Sequence, residues 1–280
     1  MFYLLNRFIQ MKILYSNNDL NEALKDVSKL GFVPTMGSLH KGHISLIKRS
    51  KKECSKTIVS IFVNPTQFND KSDYKNYPRN NKKDLTILRK LEVGFVYIPN
   101  KEDIYGSKKK QKIKLHKNDK ILCAKYRKGH FEGVIDVMER LTKIIKPNRI
   151  YMGEKDLQQL YLVKKYIQKK NYPRFITCRT VRDSNKLAFS SRNILLNKTE
   201  LIKARNISKE IFFFKKKLIK SKNIHKHIFN KRKELINSFN IKFDYLELRN
   251  VINLKNSNKV KNSKLFIAYY INKVRLIDNF

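Results

Sequence analysis

Residues 31–47 read as a short apolar strand (Gly31-Phe32-Val33-Pro34-Thr35), a glycine turn (Met36-Gly37-Ser38) and the opening of an amphipathic helix. Leu39, His43, Leu46 and Ile47 fall at i, i+4, i+7 and i+8, the spacing of one helix face. A strand that ends in a glycine turn and feeds straight into a helix is half of a βα unit. Chains built on such units fold as parallel sheets layered with helices. The helix start also carries chemistry. Its first N–H groups lack partners and the dipole is positive there, which suits an anion such as a triphosphate. His40 and His43 are three residues apart, so both imidazoles project to one side of that first turn and add donors without fixed charge. Taken alone, the pair is also explained as one capping and one core histidine.

The design recurs along the first 180 residues. An apolar run at 57–63 is bounded by Asn64-Pro65, and 84–91 has a helix pattern. Residues 94–98 form another strand, closed by Pro99. Phe131, Val134, Ile135, Met138, Leu141, Thr142 and Ile145 make a helical stripe that Pro147 stops. A strand at 149–152 turns at Gly153 into a helix from 155 to about 168, and 175–178 is one more strand. This alternation predicts an α/β fold with a Rossmann-like parallel sheet. Ligands of open sheets gather at the carboxyl ends of strands, and the turns 34–43, 64–68 and 153–159 all fall at such ends.

After about 183 the pattern changes. Two lysine-rich amphipathic helices, 198–220 and 225–239, precede strands at 243–249, 264–271 and 274–277. We read 12–182 as one Rossmann-like domain and 183–280 as a smaller α+β unit, a lid or wall for the first. Residues 106–129 are polar, lysine-rich and poorly patterned. Residues 1–11 lack the basic, apolar and small-residue zones of a signal peptide and read as a short extension, with Met11 an alternative start.

At 280 residues the chain suits one large domain or two ordinary ones, and its 17 Phe and 14 Tyr are enough for real cores. No apolar run reaches the length of about 18 residues that a transmembrane helix needs, so no membrane span is expected. Cys54, Cys123 and Cys178 are far apart, odd in number and in no metal spacing, as in reduced cytosolic thiols. The net charge of +40 has two readings. One is nucleic-acid binding. The other is compositional drift, because Lys, Asn, Ile, Phe and Tyr are over-used together. The basic runs at 108–114, 215–217 and 226–233 lie in different regions, and no nucleic-acid motif accompanies them. Drift is the better account, so no specific nucleic-acid partner is expected.

Three more segments carry chemistry. Asn64-Pro65-Thr66-Gln67-Phe68 places carboxamides at a strand end, where they hold hydroxyls or carboxylates, although an Asn-initiated turn explains Asn64 as well. In 153–159, Lys155 and Gln159 are four apart and share a helix face, the lysine suited to a phosphate; a solvated helix start is the plain alternative. Ser190-Ser191-Arg192-Asn193 sets two hydroxyls beside a fork-shaped cation, which suits a polyphosphate, or is an ordinary loop.

Together these segments resemble the pantoate–β-alanine ligase (AMP-forming) family. The matching stretches are 33–43, 61–68, Tyr77-Pro78-Arg79, Gly129-His130-Phe131-Glu132-Gly133-Val134, 153–159, 187–193 and Arg275-Leu276-Ile277-Asp278-Asn279, in one order over roughly 12–279. Thr66 stands where the family often has Met, Lys128 where Pro is usual, and Asn185-Lys186 where Asp-Gly is typical; that Gly is the kind that serves a positive φ.

The resemblance implies a nucleotidyltransferase fold and a two-step reaction. The carboxylate of pantoate attacks the α-phosphate of ATP to give pantoyl adenylate and pyrophosphate. The amine of β-alanine then displaces AMP to give pantothenate. It implies His43, His40, Lys155 and Arg192 as the catalytic set. It implies an ATP site of Met36, Gly37, Ser38, Leu39, His40, Lys41, Gly42, His43, Gly153, Glu154, Lys155, Asp156, Val181, Phe189, Ser190, Ser191 and Arg192. Gln67 and Gln159 would grip pantoate, Gln67 would also lie near β-alanine, and Asn64 and Tyr77 are weaker candidates for the substrate wall. Mg²⁺ would arrive with the nucleotide, held mainly by phosphate oxygens, with Asp84 a candidate helper. A cytoplasmic homodimer is implied. Two rivals remain at this point. Another nucleotidyltransferase of the same His-x-Gly-His type shares the histidines but not the 64–68 and 153–159 segments. A basic binding protein without activity leaves every strand-end motif unexplained.

Overall fold

A computed structural model describes residues 10–106, 113–168, 173–219 and 221–280; residues 1–9, most of the 108–114 run and Lys220 lie outside them. Among the described residues six parallel strands form one sheet: β1 (Lys12–Leu14), β2 (Leu30–Thr35), β3 (Lys56–Ile61), β4 (Phe95–Tyr97), β5 (Arg149–Gly153) and β6 (Arg174–Cys178). Strands β2 to β6 stand where the apolar runs predict them. β1 has no predicted counterpart, because three residues are too few to carry a period. The helices that layer this sheet are α1 (Asn17–Leu24), α2 (Lys41–Glu53), α3 (Lys71–Lys75), α4 (Asn81–Lys90), α5 (Lys101–Tyr105), α6 (Cys123–Tyr126), α7 (His130–Ile145) and α8 (Leu157–Ile167).

Alternate residues of a strand face opposite layers. Phe32, Ile58, Tyr97 and Ile150 enter one core with Leu20 of α1 and the apolar stripes of α7 and α8. Val33, Val59, Val96 and Tyr151 enter the other with Ile47 of α2 and Leu88 of α4. All eight strand residues are 0% exposed, which is why these strands read as continuous apolar runs rather than alternating ones.

The strand order is β1-β4-β3-β2-β5-β6. From β2 the chain moves outward through β3, and from β5 it moves the opposite way to β6, while β2 and β5 pair directly at Gly31–Arg149 and Phe32–Ile150. A crevice opens outside the carboxyl ends of two strands that part in this way. The turns after β2 and β5 flank it, and the turn after β3 is the next neighbour.

The second sheet is antiparallel: β7 (Lys242–Asn250), β8 (Ser263–Ile271) and β9 (Val274–Asn279), with β8 central. Helices α9 (Lys198–Leu218) and α10 (Ile224–Phe239) cover one face, where Ile207, Ile211 and Leu235 meet Leu246, Leu248, Leu265 and Ile267. The alternate residues Tyr245, Phe266 and Ala268 belong to the first core. The poorly patterned segment is anchored in its described part. Leu115, Leu122, Cys123 and Ala124 are buried, and the Gln158 carboxamide accepts from Cys123 N (2.9 Å) and donates to Ile121 O (2.7 Å).

One close approach positions the site. A Cβ at Gly133 of α7 would lie 2.4 Å from the Thr66 carbonyl oxygen, in the turn that carries Gln67. Gly133→Ala gains about 1 kcal/mol of helix propensity but forces backbone from backbone, at a cost of about 3 kcal/mol. We expect a fall of several degrees in Tm, read by thermal unfolding; an unchanged Tm would show that α7 and the turn separate freely.

Candidate active site

The turn after β2 is left-handed at two successive residues, Gly37 (φ +77°) and Ser38 (φ +51°). Gly37 is required there by its φ, and because a Cβ would sit 3.0 Å from Asp84 Oδ2. Three bonds hold the turn. Gly37 N donates to Thr35 Oγ1 (3.1 Å), Ser38 N to Asp84 Oδ2 (2.7 Å) and Leu39 N to Asp84 Oδ1 (2.8 Å). Burial pushes the Asp84 carboxyl pKa up, and the two N–H bonds oppose that shift. Both its oxygens are thus engaged in bracing the turn, and Asp84 is not part of the cavity lining described below.

Helix α2 begins at Lys41, two residues later than the pattern from Leu39 suggests, and His40 is its cap. The His40 Nδ1 accepts from Gly42 N (3.1 Å), so the ring's own N–H is at Nε2. The rings of His40 and His43 lie 4.0 Å apart, on one side as predicted. The expected row of free N–H groups is narrower than the sequence suggests, since those of Ser38, Leu39 and Gly42 already have acceptors. His43 Nδ1 is buried with no partner among the described residues. Both rings are neutral. Burial, then the charge of Lys155, pushes His40 down to about 4, partly offset by Asp156. Burial, then His40 and Lys155, holds His43 well below the usual imidazole value.

After β5, residues Glu154–Asp156 form a 3₁₀ turn into α8. Lys155 Nζ lies 3.2 Å from Asp156 Oδ1. Glu154 pairs instead with Lys264 of β8, at 3.2 Å. A third segment closes the rim. Arg182 bridges to Ala188, and Phe189 N donates to Val181 O (3.1 Å). At the tip Lys186 is left-handed, with φ +70°. That is the place where the family's Gly was expected to serve a positive φ; a lysine there costs on the order of 1–2 kcal/mol. Ser190 caps the next turn, and Ser191 Oγ donates to Ser38 O (3.1 Å), joining this segment to the turn after β2. Arg192 Nη2 donates to both Asp73 oxygens (3.0 and 2.9 Å).

The Gln67 carboxamide has weak or partial partners. Its Nε2 faces Met36 Sδ (3.1 Å) and its Oε1 accepts from Asn64 Nδ2 (3.2 Å). The Gln67 carbonyl accepts from His130 Nδ1 (2.6 Å), which leaves Nε2 of that ring to accept from Arg127 Nη1 (2.8 Å). Burial, then the Arg127 charge, holds His130 well below the usual value, in keeping with a neutral ring. Asn64 is committed to the protein. Its Oδ1 accepts from Tyr105 OH (2.7 Å) and from Thr66 N and Oγ1, and its Nδ2 donates to Gly133 O. It shapes the turn rather than offering a free carboxamide.

These segments enclose a cavity of about 710 Å³. Met36, His40, Gly42, His43, Gln67, Gly153, Lys155, Asp156, Gln159, Val181, Phe189, Ser190, Ser191 and Arg192 line it, with Asn64 and Tyr77. Gly37, Ser38, Leu39, Lys41 and Glu154 are not part of that lining; Lys41 is exposed, its Nζ 5.4 Å over the Phe189 ring. Sequence reasoning missed Asp73, Arg127 and the bridge made by His130. Gly129-His130 was visible as a motif, but nothing local marks an aspartate on α3 as the partner of Arg192.

A family model described as pantoate-beta-alanine ligase matches residues 12–280. The chain belongs to the pantoate–β-alanine ligase family. A pantothenate synthetase of Clostridium botulinum (strain 657 / Type Ba4) is 40% identical over 254 residues, covering 90% of each chain. The crystal structure of the pantothenate synthetase of Thermus thermophilus has a TM-score of 0.89 at 30% identity, over 96% of this chain and 98% of that one. The ligase of Francisella tularensis, solved with beta-gamma ATP and beta-alanine, has a TM-score of 0.79 at 39% identity, over 96% and 97% of the two chains. Members of this ligase family thus share both the fold and nearly the whole length of the chain. Among the described residues no helix is long and apolar enough to cross a membrane.

The neutral histidines give a stability prediction. Between the usual value near 6.5 and the folded value of about 4 for His40, the unfolded chain binds a proton that the folded chain does not. Stability is therefore complete above about 6.5 and declines as pH falls through that window, with His43 and His130 acting in the same direction. The expected loss is on the order of 1 kcal/mol per histidine per pH unit, read as a falling urea midpoint between pH 7.5 and 5.5. A flat midpoint would refute neutral burial.

Proposed function

We propose that this chain condenses pantoate with β-alanine, using ATP, through a pantoyl-adenylate intermediate. The observation that carries this is the convergence on one cavity of His40, His43, Lys155 and Arg192 with the two carboxamides Gln67 and Gln159. The cations suit a triphosphate and the carboxamides suit a small hydroxy acid.

In the first step a pantoate carboxylate oxygen bonds to the α-phosphorus, and the bond to the β-phosphate bridging oxygen breaks. Negative charge then grows on pyrophosphate. Lys155 and Arg192, with Ser190 and Ser191, hold it, and His40 and His43 donate N–H groups. Because the rings are neutral, their donation involves no loss of ionic partners, and a bound triphosphate raises their pKa values. Arg192 exchanges Asp73 for phosphate oxygens. Gln67 gives up a thioether contact to Met36, a weak acceptor, and a long bond from Asn64 Nδ2 when it turns to a pantoate hydroxyl. In the second step the β-alanine amine attacks the acyl carbon beside Gln67 and AMP leaves. The catalytic benefit is mainly positioning and charge stabilisation.

Met36 to His43, Gly153 to Asp156, Val181 and Phe189 to Arg192 frame the nucleotide in this reading. Gly37, Ser38, Leu39, Lys41 and Glu154 contribute in this reading by shaping the two turns that carry the lining residues. Mg²⁺ enters on the phosphates. Asp73 and Asp156 line the cavity, and in this reading the ion is carried mainly by substrate oxygens and water. Residues 12–182 act as the nucleotide-binding domain and 183–280 as its lid. A cytoplasmic homodimer completes the reading.

Pantoate-dependent exchange of pyrophosphate into ATP tests the proposal. Exchange with nicotinamide mononucleotide instead, or none at all, would sink it. Lys155→Ala should slow exchange by roughly 10²- to 10³-fold in a protein that still folds. Gln159→Ala should raise the pantoate KM by about tenfold and the ATP KM far less, since in this reading its uncharged carboxamide holds pantoate rather than phosphate. Equal effects on both substrates would remove Gln159 from that role.

A further inference from the structure

The penultimate residue of the chain reaches the phosphate-binding turn. Asn279, at the end of β9, is 1% exposed, and its Nδ2 donates to two successive carbonyls, Glu154 O (2.9 Å) and Lys155 O (2.8 Å). Those carbonyls belong to the short 3₁₀ turn, Glu154–Asp156, that carries Lys155. Asn279 is itself held firmly. Its N–H donates to Asp278 Oδ1 (2.7 Å), its carbonyl accepts from Arg182 Nη2 (2.8 Å), and Arg182 grips both Asp278 oxygens (2.6 and 2.9 Å). Its register partner is Phe266 of β8.

The amide nitrogen is the group that fits. Two carbonyl oxygens converge on one atom, so that atom must carry two hydrogens. The carboxamide oxygen is buried with no partner among the described residues, a cost accepted only if the opposite orientation is worse. An Asp would turn a carboxylate oxygen towards two carbonyl oxygens, and Ala would leave both carbonyls short of a donor.

We infer that Asn279 is a positioning residue for Lys155: the second sheet, through its last strand, fixes where the phosphate-binding ammonium stands. The inference rests on the role given to Lys155 above. It assigns β9 a part in the chemical step beyond covering the cavity, and it makes placement of the lysine depend on how this sheet is seated.

A double-mutant cycle on pyrophosphate exchange tests it. Asn279→Ala should lower the maximal exchange rate by about 10- to 100-fold while the KM values for ATP and pantoate move less than about threefold. In the Lys155→Ala background the same change should have almost no further effect, because the group it positions is gone. A general loss of packing would slow both backgrounds alike. If the alanine variant is too unstable to assay, Asn279→Ser, which keeps one donor, goes through the same cycle with an intermediate loss expected. If Lys155→Ala slows exchange but the two losses multiply, the positioning role is overturned while that of Lys155 stands. If Lys155→Ala leaves exchange unchanged, the role of Lys155 falls and this inference with it.

Discussion

Two neighbouring strands, β2 and β5, part company at their carboxyl ends because the chain runs on from them in opposite directions along the sheet. Everything chemical in the molecule depends on that divergence. Helix α2 and the turn before α8 start on either side of the gap, so that two helix approaches, two imidazoles and a lysine face the same space. The sheet beneath is covered on both faces and leaves the rim little freedom to shift.

Holding so many cations and imidazoles together needs compensation, and the chain supplies it locally. Arg192 leans on Asp73, Lys155 on Asp156, Arg275 on Asp244 and Arg182 on Asp278. The imidazoles are kept neutral by burial beside Lys155. Arg192 and Lys155 therefore each have a carboxylate that a polyphosphate can replace, a swap that changes partners without first stripping a charge bare, whereas Arg182–Asp278 and Arg275–Asp244 hold the surrounding framework. The Asp84 brace serves the same end by satisfying backbone donors of the tight turn, so that its shape does not wait on a ligand.

Much of this was readable in the sequence because it is local. Strands β2 to β6, helices α7, α9 and α10, and the three strand-end turns all announce themselves within windows of ten residues. Even the positive φ at Lys186 was foreshadowed by the departure from Asp-Gly. What escaped is what distance in the chain hides. Asp73 meets Arg192 across 119 positions, and Asn279 meets Glu154 across 125. Asp84 looked like a spare carboxylate because nothing nearby reveals that two amides 45 and 46 residues earlier use both its oxygens. β1 and the 113–129 segment are ordered by tertiary burial rather than by periodicity.

Strand β8 has one further implication, for how such a chain tolerates change. Ile267 and Tyr269 belong to the small core beneath the lysine-rich helices, whereas Phe266 and Ala268 belong to the large one. One strand thus threads two interiors in strict alternation. A single inserted or deleted codon inside it would exchange the tenants of both, so length variation is shut out there. Substitution on the outer surface of α9 and α10 meets no such barrier. Lysines such as Lys198 and Lys226 stand there, and their replacement leaves the interleaved weave of β8 untouched.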